Sequence, residues 1–301
     1  MILGDYLDCN QKRKGTGKIA CEVPDGVPNG FYLVPKSWRL DPSTDDFNTA
    51  AIKAQVKKKS MVPFLDAINY TQNNEEDVIF TTQTGVQLLS RNGKPFFSFD
   101  FDNGYQWHTA AYSYKSFGAY DVVPVYDNGV VFLAKTNDGK YKGHTAGLVN
   151  PQTFKNKDGQ NPSMTTFGLQ LTNPEEYNTS GVLLDPVANS FDVDAVPGIV
   201  DINIEHVSNS TADVVVKVTM GSNGAIPVLG LTDTDFRALG TAIAIDSVAY
   251  DSATGNYTIT FASDVSGDYS GLVIETFDTD DSTKVVDISG VLYEGASPAA
   301  A

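Results

Sequence analysis

Hydrophobic and polar positions alternate along most of this chain. Over residues 96–101, Phe97, Phe99 and Phe101 fall on one side and Phe96, Ser98 and Asp100 on the other, the two-residue period of a half-buried strand. Tyr105, Trp107, Thr109 and Ala111 continue one face, with Gln106, His108, Ala110 and Tyr112 opposite, which predicts another strand. Asn92-Gly93, Asn103-Gly104, Asn128-Gly129 and Asp138-Gly139 supply the positive φ angles of two-residue hairpin turns. Together these signals predict an antiparallel meander over 78–135, which must be covered or closed to hide its edges. The helical period shows clearly in one place, residues 45–59. There Phe47, Ala50, Ala51 and Ala54 make a narrow stripe, Ser43 or Thr44 can cap, and Lys57, Lys58 and Lys59 suit the C-terminal end.

Residues 137–196 are polar and rich in Asn, Asp and Gly, and read as long loops with scattered strands. Past Val196-Pro197-Gly198 the alternation becomes short and even, over 200–204, 212–220, 243–250, 257–261, 271–277 and 284–292. Turns at 222–224, 253–256 and 266–268 separate these segments. Short strands with polar turns every ~8–12 residues are the pattern of an immunoglobulin-like sandwich. The segment 230–236 resembles the crossover of bacterial immunoglobulin-like repeats, a short helical turn flanked by Leu231 and Phe236 as core plugs. The expected fold is mainly β. A helix-flanked antiparallel barrel or sandwich core, with an N-terminal arm, occupies 1–197, and an immunoglobulin-like domain occupies 198–301.

Charge sharpens that division. The 301 residues carry 21 Lys and Arg against 37 Asp and Glu, a net −16. Residues 198–301 hold only Lys217, Arg237 and Lys284 against 15 acids, which puts −12 there and −4 on the rest. Such an excess of carboxylates disfavours phosphate-driven nucleic-acid binding and favours solubility of the second domain. No apolar run reaches the roughly 18–20 residues that span a bilayer, so no membrane anchor is expected. The start, with Asp5 and Asp8, lacks a leader-like apolar stretch, and Lys18-Ile-Ala-Cys21 without one is no lipoprotein signal. Cys9 and Cys21 could close a loop around Lys12-Arg13-Lys14 or remain free thiols, and cannot by themselves build a zinc site.

The motifs of catalysis are missing from the sequence: no G-x-S-x-G, H-E-x-x-H, C-x-x-C or phosphate-binding P-loop occurs. Gly15-Thr-Gly17-Lys-Ile-Ala20 follows no apolar strand, and reads as flexible arm rather than nucleotide site. His108 reads as a hydrogen-bonded strand histidine, and His144 as a turn residue. The acidic groups at Asp100 and Asp102, at Asp192 and Asp194, and at Asp278, Asp280 and Asp281 lack the spacing of a calcium loop, and read as solvated rim. No catalytic residue, cofactor or metal is expected.

The helix at 45–59, the hairpins at 78–135, the loop-rich stretch after them and the immunoglobulin-like domain together resemble the tail tube, or major tail, proteins of tailed bacteriophages. That resemblance implies subunits closing into rings, hexameric in this family, that stack into a tube through which DNA passes non-specifically. Other tail proteins are then the remaining partners, and the virion, assembled in the host bacterial cytoplasm, is the location. It also implies lumen or interface roles for Phe97, Asp100, Asp102, Trp107 and His108, with the arm and loops between rings. A carbohydrate- or host-surface-binding adhesin or fibre, or a capsid or decoration protein, is the alternative.

Overall fold

The apolar run Phe31-Tyr32-Leu33-Val34 forms the centre of β1 (Pro28–Pro35) and is buried at every position. A strand buried at consecutive residues has both faces covered. In the computed structural model Phe31 and Leu33 enter an aromatic core, while Tyr32 and Val34 are buried on the opposite face. The structure describes residues 26–299 except 222, 223, 225, 242, 264–268 and 270. Cys9, Cys21, the basic run and the glycine motif therefore lie outside the described residues. The chain is mainly β and divides into two compact units, one of residues 26–52 and 60–194 and one of 53–59 and 195–299.

Along the chain β1 is followed by α1 (Thr49–Lys57), which belongs to the first unit up to Ile52 and to the second from Lys53, and then, in the first unit, by β2 (Val62–Phe64), β3 (Asn69–Gln72), β4 (Val78–Thr81), β5 (Gln87–Arg91), β6 (Phe96–Phe101) and α2 (Gly104–Tyr112). Then come β7 (Tyr120–Tyr126), β8 (Val131–Lys135), β9 (Tyr141–Lys142), β10 (His144–Pro151), β11 (Thr165–Leu171), α3 (Pro174–Asn178) and β12 (Gly181–Leu184). One sheet runs β12-β8-β7-β10-β11-β6-β3, with β1 also on β7, β2 on β1 and β9 on β8; among the described residues β4 and β5 pair only with each other. The Phe97, Phe99 and Phe101 face is buried as its alternation predicts. Phe31 packs against Phe64 at 5.2 Å, Phe99 at 5.2 Å and Phe167 at 5.4 Å between ring centroids.

Four local expectations are corrected. Residues 104–112 form helix α2, not a strand, because Trp107, His108 and Ala111 also sit at helical spacing and turn their bulk inward there. Asn103-Gly104 therefore opens a helix, and β6 pairs with β3 and β11 rather than in a hairpin with residues 104–112. Residues 137–196 hold β10 and β11, central strands whose Ala146, Val149, Phe167, Leu169 and Leu171 enter the core. The helix at 45–59 shortens to 49–57. Asn48 Oδ1 accepts from Ala51 N at 2.8 Å, while Ser43 belongs to an upstream turn on Asp41. Its buried positions are Ile52 and Val56 rather than the smaller alanines.

In the second unit β13 (Ile199–Asn209), β14 (Asp213–Met220), β15 (Ile226–Pro227), β16 (Phe236–Leu239) and β17 (Ile245–Asp251) precede β18 (Asn256–Phe261), β19 (Val273–Thr276), β20 (Val286–Ile288) and β21 (Val291–Glu294). The larger sheet runs β17-β18-β14-β13-β21-β20 with β15 on β14, and β16 and β19 form a second. The start of β13 pairs in parallel with β21, through residues 199–201, and its remainder pairs antiparallel with β14. Leu231 and Phe236 are buried beside a 3-10 turn at Asp233–Asp235, as the segment predicts. The single strand expected over 284–292 is instead the hairpin of β20 and β21. Ser289 and Gly290 take φ of 53° and 91°, the left-handed pair a tight hairpin turn requires. Across β16 and β19, Glu275 is 1% exposed and accepts from both Arg237 Nε, at 2.9 Å, and Lys284 Nζ, at 2.7 Å.

Candidate functional site

The five residues singled out in the first unit do not form one surface. Phe97 is 2% exposed and belongs to the aromatic core, stacking on Tyr70 at 6.0 Å. Trp107 is half-buried against Phe101, at 5.1 Å, and Phe64, at 5.8 Å. Asp100 is half-buried, its Oδ1 accepting from Thr166 Oγ1 at 2.6 Å and its Oδ2 from Asn69 Nδ2 at 3.1 Å. Asp102 is exposed. His108 is buried on α2, with Nδ1 3.0 Å from Thr165 Oγ1, so its hydrogen bond is made from a helix. Around it stand Tyr105, Tyr112 and Phe154 at ring distances of 6.0, 5.7 and 5.3 Å, and the exposed edges of Tyr105 and Tyr112 lie near the exposed Phe117 in sequence.

The feature with the strongest demand for a partner is an arm built from β4 and β5. The β3–β6 ladder runs on past Gln72, through Asn73 N to Phe96 O at 2.9 Å and Glu75 N to Lys94 O at 2.9 Å. A Cβ at Gly93 would stand 1.8 Å from the Glu75 carbonyl oxygen, so only glycine lets the two chains close there. The arm ends in a turn where Thr82 N donates to Val86 O at 2.8 Å and Gly85 takes φ +83°. At about 3.3 Å per residue the ten steps from Gln72 to Thr82 extend roughly 30 Å.

Ile79 faces Leu89 and Phe80 faces Leu88 across the arm, one pair on each side. All four, with Val78 and Val86, are exposed, Phe80 at 61%. Two strands alone are marginal in water, and apolar side chains on both faces gain nothing until something covers them. The sequence shows the apolar residues but reads them as core strands; that no third strand among the described residues joins them is decided by tertiary structure alone.

A second constellation lies inside the first unit. Lys142 Nζ is 2.7 Å from Glu176 Oε1, 2.7 Å from Thr145 Oγ1 and 4.0 Å from Asp121 Oδ2. Thr145 N and Oγ1 donate to Glu176 at 2.8 and 3.0 Å. Asn173 caps α3 by accepting from Glu175 N at 3.2 Å, which fixes the turn that carries Glu176. Burial pushes the Asp121 carboxyl up to about 6, with Glu176 adding to the rise and Lys142, Lys36 and Arg39 opposing it. For Glu176 burial acts upward too, but the hydrogen bonds from Lys142 and Thr145 win and hold it below its ordinary value.

His144, beside this cluster in sequence, is fully buried on β10 rather than in a turn, at 4.5 Å from Phe132 and 5.7 Å from Tyr177. Neither ring nitrogen has a hydrogen-bond partner among the described residues. Burial pulls its pKa from 6.5 down to about 4. Below pH 6.5 the unfolded chain takes up a proton that the folded imidazole refuses, so this residue withdraws stability as pH falls from 6.5 to 4. His144→Phe, which keeps a ring against Phe132 and Tyr177, removes that loss. Its stability relative to the parent should rise by about 3 kcal/mol over that interval. Paired thermal melts at pH 7, 5.5 and 4 (roughly, within the range that linkage addresses) check this, and a constant difference rejects it.

Asp278 and Asp281, in the second unit, are held by Lys57 at 2.6 and 2.8 Å. Among the described residues no group of three or more His, Cys, Asp or Glu is placed to hold a metal ion, and no helix is long and apolar enough to cross a membrane. No known protein family, curated protein or solved structure matches the chain.

Proposed function

We propose that this chain is a structural subunit that assembles with copies of itself and, more specifically, a tail tube protein whose rings stack into a conduit for phage DNA. The observation that carries the self-assembly reading is the arm at 78–91, whose apolar pairs on both faces are exposed in the single subunit. The edges of the main sheet add to it, since among the described residues β3 and β12 each pair on one side only. An apolar arm that seats on a different face of the next copy makes a head-to-tail contact, and such contacts close into rings or run on as filaments. The tube reading rests further on the layout, a helix-flanked β unit followed by a β-sandwich that carries most of the negative charge.

Negative-stain microscopy and sedimentation of the purified full chain test this. Rings or tubes are the expected result. Closed shells would favour the capsid alternative. Monomers at every concentration reject self-assembly, and glycan binding by those monomers would favour the adhesin, for which the exposed rings of Tyr105, Tyr112 and Phe117 speak.

A further inference from the structure

We propose that Lys142 and Asp121 become joined by an amide bond between Nζ and Cγ, with Glu176 carrying the proton. Three features of the fold bring the groups together. Asp121 on β7 faces Thr145 on β10, which places the chain just before Thr145 over the carboxyl. That chain descends through Gly143, where an added Cβ would stand 2.9 Å from Asp121 Cβ, 3.1 Å from Val34 and 3.2 Å from the Val122 carbonyl oxygen. Only a residue without a side chain permits the approach, and its neighbour Lys142 is thereby laid across the carboxyl, Nζ 4.0 Å from Oδ2. Glu176 arrives from α3 to take the other side of the same ammonium, at 2.7 Å.

The surroundings suit condensation rather than a plain ion pair. The Asp121 side chain is almost wholly buried, and its Oδ1 makes no hydrogen bond among the described residues. An ionised carboxylate left so poorly satisfied is costly. Burial accordingly raises its pKa, which populates the neutral carboxyl, the electrophilic form, near neutrality. The charged and titratable groups around it are Lys36, Arg39, Lys142, Glu176 and the neutral His144; of these Lys142 alone is an amine within reach of the carboxyl, and Glu176 is bonded to that amine. A nucleophile, a protonated acid and a base held in a desolvated pocket gain the advantage of fixed proximity.

The step balances without help. The Nζ–Cγ bond forms and the Cγ–OH bond of the neutral acid breaks. Of the three protons on the ammonium, one stays on the amide nitrogen, one leaves with the hydroxyl as water, and one passes through Glu176 to solvent. Nothing is oxidised or reduced. The product ties β7 to β9 and replaces an ammonium and a neutral acid by one neutral amide.

Intact mass spectrometry of the full chain in denaturant is the test. The mass should fall short of the sequence by one water, allowing for the N-terminal residues actually present. A protease digest should then yield a branched peptide joining residues 121 and 142. Lys142→Arg should restore the sequence mass. Glu176→Gln should fold, by its melting transition, and remain largely unlinked. Free side chains at 121 and 142 in the parent overturn the proposal, as does a lost water that maps elsewhere. A folded Glu176→Gln chain linked as fully as the parent overturns the role given to Glu176.

Discussion

Replacing Phe80, Leu88 and Leu89 together by serine should leave a chain that melts like the parent but no longer assembles. In the single subunit these side chains are 61%, 51% and 59% exposed, so the fold loses little when they go. Surface replacements of that kind change stability by about 0.5 kcal/mol or less. In an assembly the same side chains would be covered, each contributing about 1.5–3 kcal/mol when fully buried. Losing all three removes roughly 5 kcal/mol or more, which is over three orders of magnitude in dissociation constant. Sedimentation velocity beside calorimetry separates the two effects. A triple variant that assembles at the parent's concentration shows that the contact lies elsewhere, and one that no longer melts cooperatively shows that the arm belongs to the fold.

The second large effect concerns Glu275, and its sign is the informative part. Both of its oxygens are engaged, one by Arg237, which also lies 4.0 Å over the Phe277 ring, and the other by Lys284. The two cations are partly exposed, but the carboxylate is not. Glu275→Gln lets both cations turn to water and should cost about 1–2 kcal/mol. Arg237→Met with Lys284→Met instead strands a buried anion, at a cost of about 3–5 kcal/mol.

The pH profiles should diverge as well. For Glu275 burial pushes upward, but the hydrogen bonds from Lys284 and Arg237 outweigh it and hold the carboxyl below its ordinary 4.5. In the parent its contribution is therefore present above that value and lost as pH falls through the lower folded one. With the cations gone only burial remains and the shift reverses. The double variant should then gain stability on mild acidification, where the parent gains none from this residue. Melts of the three chains between neutrality and pH 5 (about the onset of carboxylate protonation) decide it, and parallel slopes in parent and double variant reject the account.

How much of this was legible depends on whether local pattern and tertiary environment agree. The alternation in 96–101 and 213–220 was readable because one face meets a core and the other does not. At 104–112 the same string satisfied two periods, and the pocket that takes His108 and Ala111 selected the helix. β10 and β11 hid among polar loops because Gly147, Asn150 and Gly168 interrupt their apolar runs, and pairing on both sides, not propensity, holds them as strands. Ser289-Gly290 was a visible turn signal inside an apolar run. The arm could not be read as exposed, since its composition is that of a core strand. Nor could Asp121, Lys142 and Glu176 be grouped, being separated in sequence and joined only by β7, β9 and α3.

The split pairing of β13 has a mechanical consequence. Its first rungs, Ile199 on Leu292, Val200 on Tyr293 and Asp201 on Glu294, run parallel to β21, so chain enters one strand at the end opposite to that at which it leaves the other. Tension drawn through the second unit between those two points slides the strands lengthwise. All the rungs are strained together, instead of opening one after another as they would if a hairpin were peeled from its ends. The route by which force enters therefore sets the resistance, and the second unit is threaded so that a lengthwise pull meets its stiffer direction.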